Sequence, residues 1–311
     1  MSSAEPAGSV LVTGATGMQG GSVARALHRA GVPTSALVRD RTGPAALQLA
    51  REGLALVTGD LEDQESLRSA CRGHTTVFSV QPAPLTDPDS ERRQARNLLE
   101  AARTADVRQV VHTSVSGTGW RGTHPHVDAG VTTNYWDSKE DVEAMVRDAG
   151  LPAYTIVKPS FFMENFVAPK ARSMFPRLSA GELVVVTAPT TQVGLIAAAD
   201  LGSAVAVIAG DPDRFAGAEI ELGGDALTFP QIAEVLTRVS GRTIRSLSLP
   251  EEEVEARLGR RSWTESQAWL DVVGYPARPH HAAAHGLRVT TTFAEWAEQE
   301  HELVRRATTP G

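Results

Sequence analysis

The chain has 311 residues, of which 41% are hydrophobic and 22% are charged. This length suffices for a large core without disulfides, and no apolar stretch approaches the roughly 20 residues that span a bilayer. A net charge of -7 argues against general nucleic-acid binding, which needs basic surface. A single cysteine, Cys71, and a start that lacks the features of a secretory signal predict a cytoplasmic protein.

Strand and helix patterns alternate through the first half of the chain. Apolar runs predict strands at 9–13, 35–38, 54–58, 76–80, 107–113 and 153–157, and helices are predicted at 18–30, 64–71, 90–105 and 135–149. Short apolar strands separated by helices indicate a parallel sheet covered on both faces. We therefore predict an α/β fold with a doubly wound Rossmann sheet.

The second half is less regular. It predicts strands at 183–187, 219–222 and 244–249, helices at 199–209 and from Thr228 to 239, and one charged amphipathic helix at 293–306. We predict an NADP-binding Rossmann domain over 1–158 and a smaller α+β substrate-binding lobe over 159–311. The two are expected to interleave, with some sheet elements contributed from 183–225.

A glycine-rich turn joins the first strand to the first helix. Gly14, Gly17 and Gly20 have the spacing GxxGxxG, and glycines there let the backbone approach a pyrophosphate at the start of a helix. The strand and helix on either side strengthen the motif, which is weak by itself. The turn is predicted to bind a dinucleotide, with contacts also from Thr16, Met18 and Gln19.

The end of the second strand indicates which dinucleotide is bound. An acidic residue at this place would bind the ribose hydroxyls of NAD, but Arg39 stands there instead. A guanidinium can pair with the 2′-phosphate of NADP, so NADP(H) is the expected cofactor. Asp40 leaves NAD open, because a shift of one residue would bring a carboxylate to the decisive position.

Six segments in this order and spacing resemble the NmrA-like group of atypical or extended short-chain dehydrogenases/reductases. They are residues 13–20, 36–39, 59–61, 110–114, 137–139 and 157–165. The resemblance implies that Asp60 and Leu61 lie by the adenine. It also implies cofactor contacts near the nicotinamide and its ribose from Ser79, Val80, Gln81, Pro159 and Phe162.

Members of the wider superfamily reduce carbonyls with a Tyr-x-x-x-Lys pair, a spacing that Tyr135 and Lys139 share. Residues four apart lie on one helix face. The resemblance implies that Lys139 holds the nicotinamide ribose and that Tyr135 donates a proton as hydride arrives. Packing is the alternative for Tyr135, because many NmrA-like proteins keep the lysine and lack the tyrosine.

The resemblance also implies a serine after the fifth strand, and Ser114 and Ser116 both qualify. We predict that Ser114 is the catalytic serine. The alternative is that its hydroxyl only caps a turn. Lys158 stands where such relatives usually have arginine, and its role is left open.

Aromatic residues are predicted to line an apolar substrate pocket, although core packing is the alternative for each of them. The four are Trp120, Trp136, Phe161 and Phe166. The long segment 117–133, which follows the fifth strand, is a candidate for closing over the substrate.

The sequence therefore predicts an NADPH-dependent reductase that delivers hydride to a carbonyl, quinone or conjugated alkene of a small organic molecule. The alternative is a non-catalytic NADP(H)-binding redox sensor that regulates a protein partner, and a sugar-nucleotide epimerase or dehydratase ranks below both. The expected partner is a small molecule, aromatic or quinone-like, with no nucleic acid and no membrane, and a homodimer is left open. No metal is expected, because no cysteine or carboxylate completes a ligand spacing around the histidines at 124, 126, 280, 281 and 285.

Overall fold

The computed structural model describes residues 8–84, 86–259 and 261–310. The chain forms two compact units. Unit 1 comprises the residues up to Val115, Asp137–Lys158 and Ala198–Ile220. Unit 2 comprises Ser116–Trp136, Pro159–Ala197 and the residues from Glu221 onward. The predicted boundary between residues 158 and 159 is one of the points where the chain passes from one unit to the other.

The strands of the structure form three sheets. In chain order they are β1 (Val10–Val12), β2 (Thr34–Val38), β3 (Ala55–Thr58), β4 (Thr76–Ser79), β5 (Gln109–Thr113), β6 (Ala153–Pro159), β7 (Phe161–Phe162), β8 (Glu182–Val185), β9 (Gln192–Ile196), β10 (Ala218–Leu222), β11 (Asp225–Thr228) and β12 (Arg245–Ser248). The large sheet has the order β10-β6-β5-β4-β1-β2-β3, and the strands from β6 to β3 run parallel.

The central strands of this sheet are buried without alternation. All residues of β1, β4 and β5 are buried, as expected for strands covered on both faces. The strand order reverses direction between β1 and β4, and a doubly wound sheet binds its ligand beyond the carboxyl ends of the strands at such a point. The fold class predicted from the sequence is confirmed, and β10 adds a seventh strand to the six predicted in the first half.

The helices alternate with the strands through β6. They are α1 (Met18–Arg29), α2 (Pro44–Arg51), α3 (Gln64–Cys71), α4 (Ser90–Thr104), α5 (Thr133–Arg147), α6 (Lys170–Met174), α7 (Ala198–Gly210), α8 (Phe229–Ser240), α9 (Glu251–Leu258), α10 (Arg261–Val272), α11 (Pro279–Ala284), α12 (Phe293–Gln299) and α13 (His301–Thr308). None of the described helices is long and apolar enough to cross a membrane.

The prediction of one helix over 293–306 was wrong, because the segment forms α12 and α13 with a break at Glu300. Glu300 has φ -97° and ψ 25°, outside regular helix geometry. Its N–H still bonds the carbonyl of Trp296, and its own carbonyl accepts from the N–H of Val304. The helical hydrogen bonds continue across the break, so the hydrophobic periodicity of the sequence continues as well and does not reveal it.

Unit 1 has its core between the sheet and the helices α3, α4 and α5. Leu67, Leu98, Val110, Val142 and Ile156 are fully shielded or nearly so. On α1, the approach of α7 is close: a Cβ atom at Gly202 would lie 2.6 Å from the carbonyl oxygen of Ser22.

Unit 2 contains the two smaller sheets, β11-β9-β7 and β12-β8. Its core is aromatic. Phe166 stacks on Phe175 with ring centroids 4.8 Å apart, and Phe293 meets Phe166 edge-on at 5.2 Å. Such pairs contribute about 0.5–1.5 kcal/mol each beyond the apolar area that they bury.

Candidate active site

The turn between β1 and α1 is shaped by its glycines. Gly14 has φ +59°, a left-handed conformation that favours glycine, and a Cβ atom there would lie 2.6 Å from a methyl group of Val80. At Gly20 a Cβ atom would lie 2.4 Å from the carbonyl oxygens of Thr13 and Gly14. The first and third glycines of the motif are thus required by close packing, so the turn keeps its tight path.

The first turn of α1 is open to a ligand. Gly17 is the N-cap, and no side chain caps the helix. No acidic side chain lies in that first turn either. An uncapped helix start carries N–H donors and a partial positive charge, which suit a pyrophosphate. The residues present therefore fit a dinucleotide.

A cleft of about 300 Å³ opens beside this turn, entirely within unit 1. It brings together seven of the residues predicted to contact the cofactor. These are Gly14, Thr16, Gly17, Arg39, Asp60, Leu61 and Val80. Pro82 and Gln94 also line it and were not foreseen, because no motif marks either residue.

Arg39 and Asp40 have different surroundings in the structure. Arg39 is exposed and lines the cleft. Asp40 does not line it, because its carboxylate accepts hydrogen bonds of 2.8 and 2.6 Å from the backbone N–H and the hydroxyl of Thr42. These bonds lower the pKa of Asp40. The guanidinium, and not the neighbouring carboxylate, is therefore placed to meet a group bound in the cleft.

A chain of buried polar side chains crosses the carboxyl ends of β4 and β5. The hydroxyl of Ser79 lies 3.1 Å from Nδ1 of His112, and the Gln81 amide donates to Ser79 at 3.0 Å. Burial, and then the charge of Lys139, lower the pKa of His112 to about 3, so the ring is neutral at physiological pH. The side chains of Ser79 and Gln81 thus turn inward, and their contacts with the cofactor remain a prediction.

Lys139 lies on α5 with its ammonium buried in unit 1. Its Nζ is 2.5 Å from Oε1 of Glu91, and the hydroxyl of Ser138 donates to the other carboxylate oxygen at 2.8 Å. Glu91 has no exposed surface, and Lys139 is 8% exposed. Sequence reasoning singled out the lysine and missed this carboxylate.

Ser114 joins a second polar network of unit 1, which runs from buried Glu143 and Lys158 to the surface. Its hydroxyl donates to Oε1 of Glu143 at 2.7 Å. Lys158 bridges Glu143 and Glu219 at 3.1 and 2.8 Å, and Arg147 pairs with both carboxylates. The proton of the Ser114 hydroxyl is thus engaged by a carboxylate, and the catalytic role of Ser114 stays a prediction. Ser116, in unit 2, accepts a 3.2 Å bond from the N–H of Ala277.

The network also explains Lys158. Burial works against its charge, but hydrogen bonds to Glu219 and Glu143 raise the pKa of the ammonium. In the same way the hydrogen bond from Arg147 lowers the pKa of Glu219 to about 2, although burial opposes it. Lys158 is therefore a buried counter-charge that ties α5 to the edge of the sheet.

We expect Glu219→Gln to reduce the free energy of unfolding by about 1–2 kcal/mol at neutral pH, since it leaves the buried Lys158 ammonium short of one partner, while the exposure of Glu219 and Arg147 screens their own pair. The folded-state pKa of Glu219 lies below its ordinary value of 4.5, so its contribution is complete above that pH and is lost as the pH falls toward 2. Urea unfolding should therefore show less than half of the difference at about pH 3. An equal difference at both pH values would contradict this assignment.

Glu52→Gln is the matched control for that substitution. Glu52 pairs with Arg25 at 2.6 Å and is 29% exposed, much as Glu219 is, but its cation is 39% exposed whereas Lys158 is buried. Exposed pairs contribute about 1 kcal/mol or less, so this variant should unfold within that margin of the wild type.

Tyr135 and the predicted pocket tryptophans belong to one aromatic cluster of unit 2. Trp136 lies 5.4 Å from Tyr135, 6.1 Å from Trp120 and 4.5 Å from Trp269, measured between ring centroids. Trp120 and Trp136 are 3% and 5% exposed, so their rings pack mainly against protein. Tyr135 is only half-buried. A pocket role for the two tryptophans remains a prediction.

Tyr275 is a neighbour of Tyr135 that the sequence did not reveal. Its ring lies 5.4 Å from that of Trp269. Burial raises the pKa of this phenol above its usual range, and the proximity of Tyr135 adds to the shift. Tyr275 is therefore a neutral phenol within the same cluster.

Pro159 and the predicted phenylalanines also lie in unit 2. Pro159 ends β6, and Phe161 and Phe162 form β7. Both phenylalanines are 8% exposed, whereas Phe166 is fully buried against Phe175. The structure gives Phe166 a packing position. Contacts of these residues with a cofactor or substrate stay predictions.

The fold and the cleft define the class first: this is a Rossmann-type dinucleotide-binding protein. The sequence profile of the NmrA-like family matches residues 6–297. The chain therefore belongs to the NmrA-like family. It is 29% identical to the NAD(P)H azoreductase of Xenophilus azovorans over 297 residues, which cover 93% of this chain and 96% of that protein.

Solved structures agree with this assignment. The NADPH-dependent quinone oxidoreductase of Escherichia coli, complexed with NADPH, matches with a TM-score of 0.75 and 25% identity over 94% of this chain and 99% of that one. NmrA, a negative transcriptional regulator solved in complex with NADP, matches with a TM-score of 0.73 and 20% identity over 97% and 98%. The second likeness concerns the fold alone.

Proposed function

We propose that this protein is an NADPH-dependent reductase that transfers hydride to a carbonyl, quinone or conjugated alkene of a small organic molecule. The observation that carries the proposal is the cleft of unit 1, which is lined both by the uncapped start of α1 and by Arg39. The similarity to an azoreductase and to a quinone oxidoreductase supports reduction as the chemistry.

The cofactor would be held by the residues that line this cleft. The glycine turn and the first turn of α1 would receive the pyrophosphate, and Arg39 the 2′-phosphate. Asp60 and Leu61 would border the adenine, and Val80, which lines the same cleft, would border the nicotinamide ribose. When bound, the reduced nicotinamide supplies the hydride for the reaction.

The chemistry proposed for the chain itself is proton delivery. Tyr135 and Lys139 lie one helical turn apart on α5, and residues at that spacing share a helix face. As the acceptor gains hydride, the Tyr135 phenol donates its proton to the acceptor atom that becomes negative, and the phenolate is reprotonated from water. Lys139 would orient the nicotinamide ribose, and Ser114 would support the acceptor once released from Glu143.

The substrate class follows from unit 2. Tyr135 is half-buried and its ring packs on Trp136, so an acceptor that reaches Tyr135 meets an aromatic ring. A flat, aromatic or quinone-like acceptor is therefore the best match, because rings stack favourably on rings. We infer the cytoplasm as the location, since NADPH is available there.

Purified protein should oxidise NADPH in the presence of at least one acceptor from a panel of quinones, azo dyes, ketones and enones. The readout is loss of the reduced-nicotinamide absorbance, with matched samples lacking either protein or acceptor. Tight NADPH binding without oxidation by any acceptor would contradict catalysis and favour the redox sensor.

The sensor has its own signature. A protein that reports the redox state must bind NADP+ and NADPH with different affinities and change its hold on a partner accordingly. Calorimetric titration with each form distinguishes the two functions, because a reductase needs only to bind NADPH and release NADP+.

A further inference from the structure

Glu91 stands in an unusual place for a carboxylate. It lies in the first turn of α4, has no exposed surface and forms part of the buried stripe of that helix with Ala95, Leu98 and Ala102. A buried carboxylate is costly unless it is paired and hydrogen-bonded. The partners of Glu91 therefore reveal what it is for.

Both oxygens of Glu91 are engaged by consecutive residues of α5. Oε1 receives the ammonium of Lys139 at 2.5 Å, and Oε2 receives the hydroxyl of Ser138 at 2.8 Å. Ser138 is fully buried. The carboxylate is thus fixed at two points, and the end of the Lys139 side chain is fixed with it.

The pair is not needed for stability alone. Replacing a buried ion pair with apolar residues is often neutral or stabilising, whereas such pairs can define one particular arrangement. Lysine is a flexible point charge with a long side chain, and holding it in one place lowers the entropy lost when it binds a ligand. The fixed position of the ammonium is what Glu91 contributes.

His112 on β5 completes the surroundings. The positive charge of Lys139 acts on this buried ring, whose pKa of about 3 keeps it uncharged. His112 therefore adds no second positive charge near the ammonium of Lys139. Among these buried groups of unit 1, Lys139 is therefore the cation that pairs with the Glu91 carboxylate.

We propose that Glu91 is a positioning residue for Lys139, and that it holds the ammonium ready for the nicotinamide ribose of the bound dinucleotide. The inference rests on the proposed function, which assigns that ribose contact to Lys139. Glu91 itself touches neither cofactor nor substrate in this scheme. Its effect on the nucleotide must therefore pass through the lysine.

The test is a double-mutant cycle on the affinity for NADP+, measured by calorimetry on the full chain. Glu91→Gln should weaken NADP+ binding about 10-fold, since the ammonium loses its fixed position. In a Lys139→Met background the same substitution should change the affinity less than about 2-fold, because the residue it acts through is gone. Equal weakening in both backgrounds, or no weakening in either, would overturn the inference.

Ser138→Ala provides a second, milder variant in case Glu91→Gln does not fold. It removes one neutral hydrogen bond to the carboxylate and should weaken NADP+ binding about 2–5-fold, again only when Lys139 is present. An unchanged affinity would count against positioning. Glu100→Gln, which breaks an exposed pair with Arg103 on the same helix, is the control and should bind NADP+ like the wild type.

The outcomes separate this inference from the proposed function. If the wild type binds NADPH and reduces an acceptor while the cycle shows no coupling, only the role of Glu91 is wrong. If the wild type binds no dinucleotide, the proposed function fails first. If the wild type is active, the Glu91→Gln variant should show a larger increase in the KM for NADPH than decrease in kcat, as expected for a loss of ground-state binding.

Discussion

Replacing Tyr135 by phenylalanine is expected to lower kcat for the best acceptor by about 100- to 10,000-fold, the usual contribution of a positioned general acid. The substitution removes only the phenolic oxygen. Because the ring is retained, its edge contact with Trp136 should persist. The affinity for NADP+ should remain within about 2-fold of the wild type, since the tyrosine acts on the acceptor. Steady-state kinetics and calorimetry on one preparation measure both quantities.

The chain offers two informative comparisons for this experiment, since it has three tyrosines in all. Tyr154 lies near the amino end of β6, whereas a doubly wound sheet binds its ligand at the carboxyl ends. Tyr154→Phe should therefore keep full activity. Tyr275→Phe tests the other phenol of the aromatic cluster. If it abolishes turnover while Tyr135→Phe retains it, the proton donor has been assigned to the wrong tyrosine.

Replacing Arg39 by alanine is expected to weaken NADPH binding about 10- to 100-fold and to leave NADH binding nearly unchanged. A charge-assisted, bidentate bond to a phosphate contributes about 1.5–3 kcal/mol, and NADH has no phosphate at this position. Titration of wild type and variant with both dinucleotides measures the ratio. The variant should thus lose its preference for NADPH over NADH but still bind both dinucleotides.

Arg41→Ala is the matched control, because Arg41 is an exposed arginine two residues away that does not line the cleft. It should retain the preference for NADPH. If both variants lose the same affinity, the effect is one of general charge. If Asp40→Ala, and not Arg39→Ala, alters the preference, the decisive side chain is the carboxylate after all.

The sequence predicted the cleft because its determinants are local. A glycine turn between a strand and a helix carries its own geometric reason, and Gly14 and Gly20 are at positions where a Cβ atom would collide. The choice between Arg39 and Asp40 could not be made from spacing alone. It depends on hydrogen bonds from Thr42 that hold the Asp40 carboxylate against its own loop.

The buried charges could not be predicted from a single sequence, because their partners are distant along the chain. Glu91 and Lys139 are 48 positions apart, and Lys158 and Glu219 are further apart still. One signal was available: Glu91 continues the apolar stripe of its helix, where an acidic residue is out of place unless it is paired. The same reasoning applies to Glu143 on α5, which is 3% exposed.

Aromatic residues show the opposite difficulty. Trp120, Trp136 and Phe166 attract attention in the sequence, but apolar rings serve core and pocket equally well. The structure places Phe166 inside the core of unit 2, and it packs the two tryptophans against Trp269. Only the packing partners, which the sequence does not reveal, distinguish the two roles.

The central claim is that the cleft of unit 1 binds a dinucleotide through its 2′-phosphate. Titrating the wild-type protein with NADPH and with NADH, under identical salt and pH, tests this claim most directly. NADPH should bind at least about 10-fold more tightly, as one phosphate–guanidinium contact requires. Equal affinities, tighter binding of NADH, or no binding of either would contradict the account.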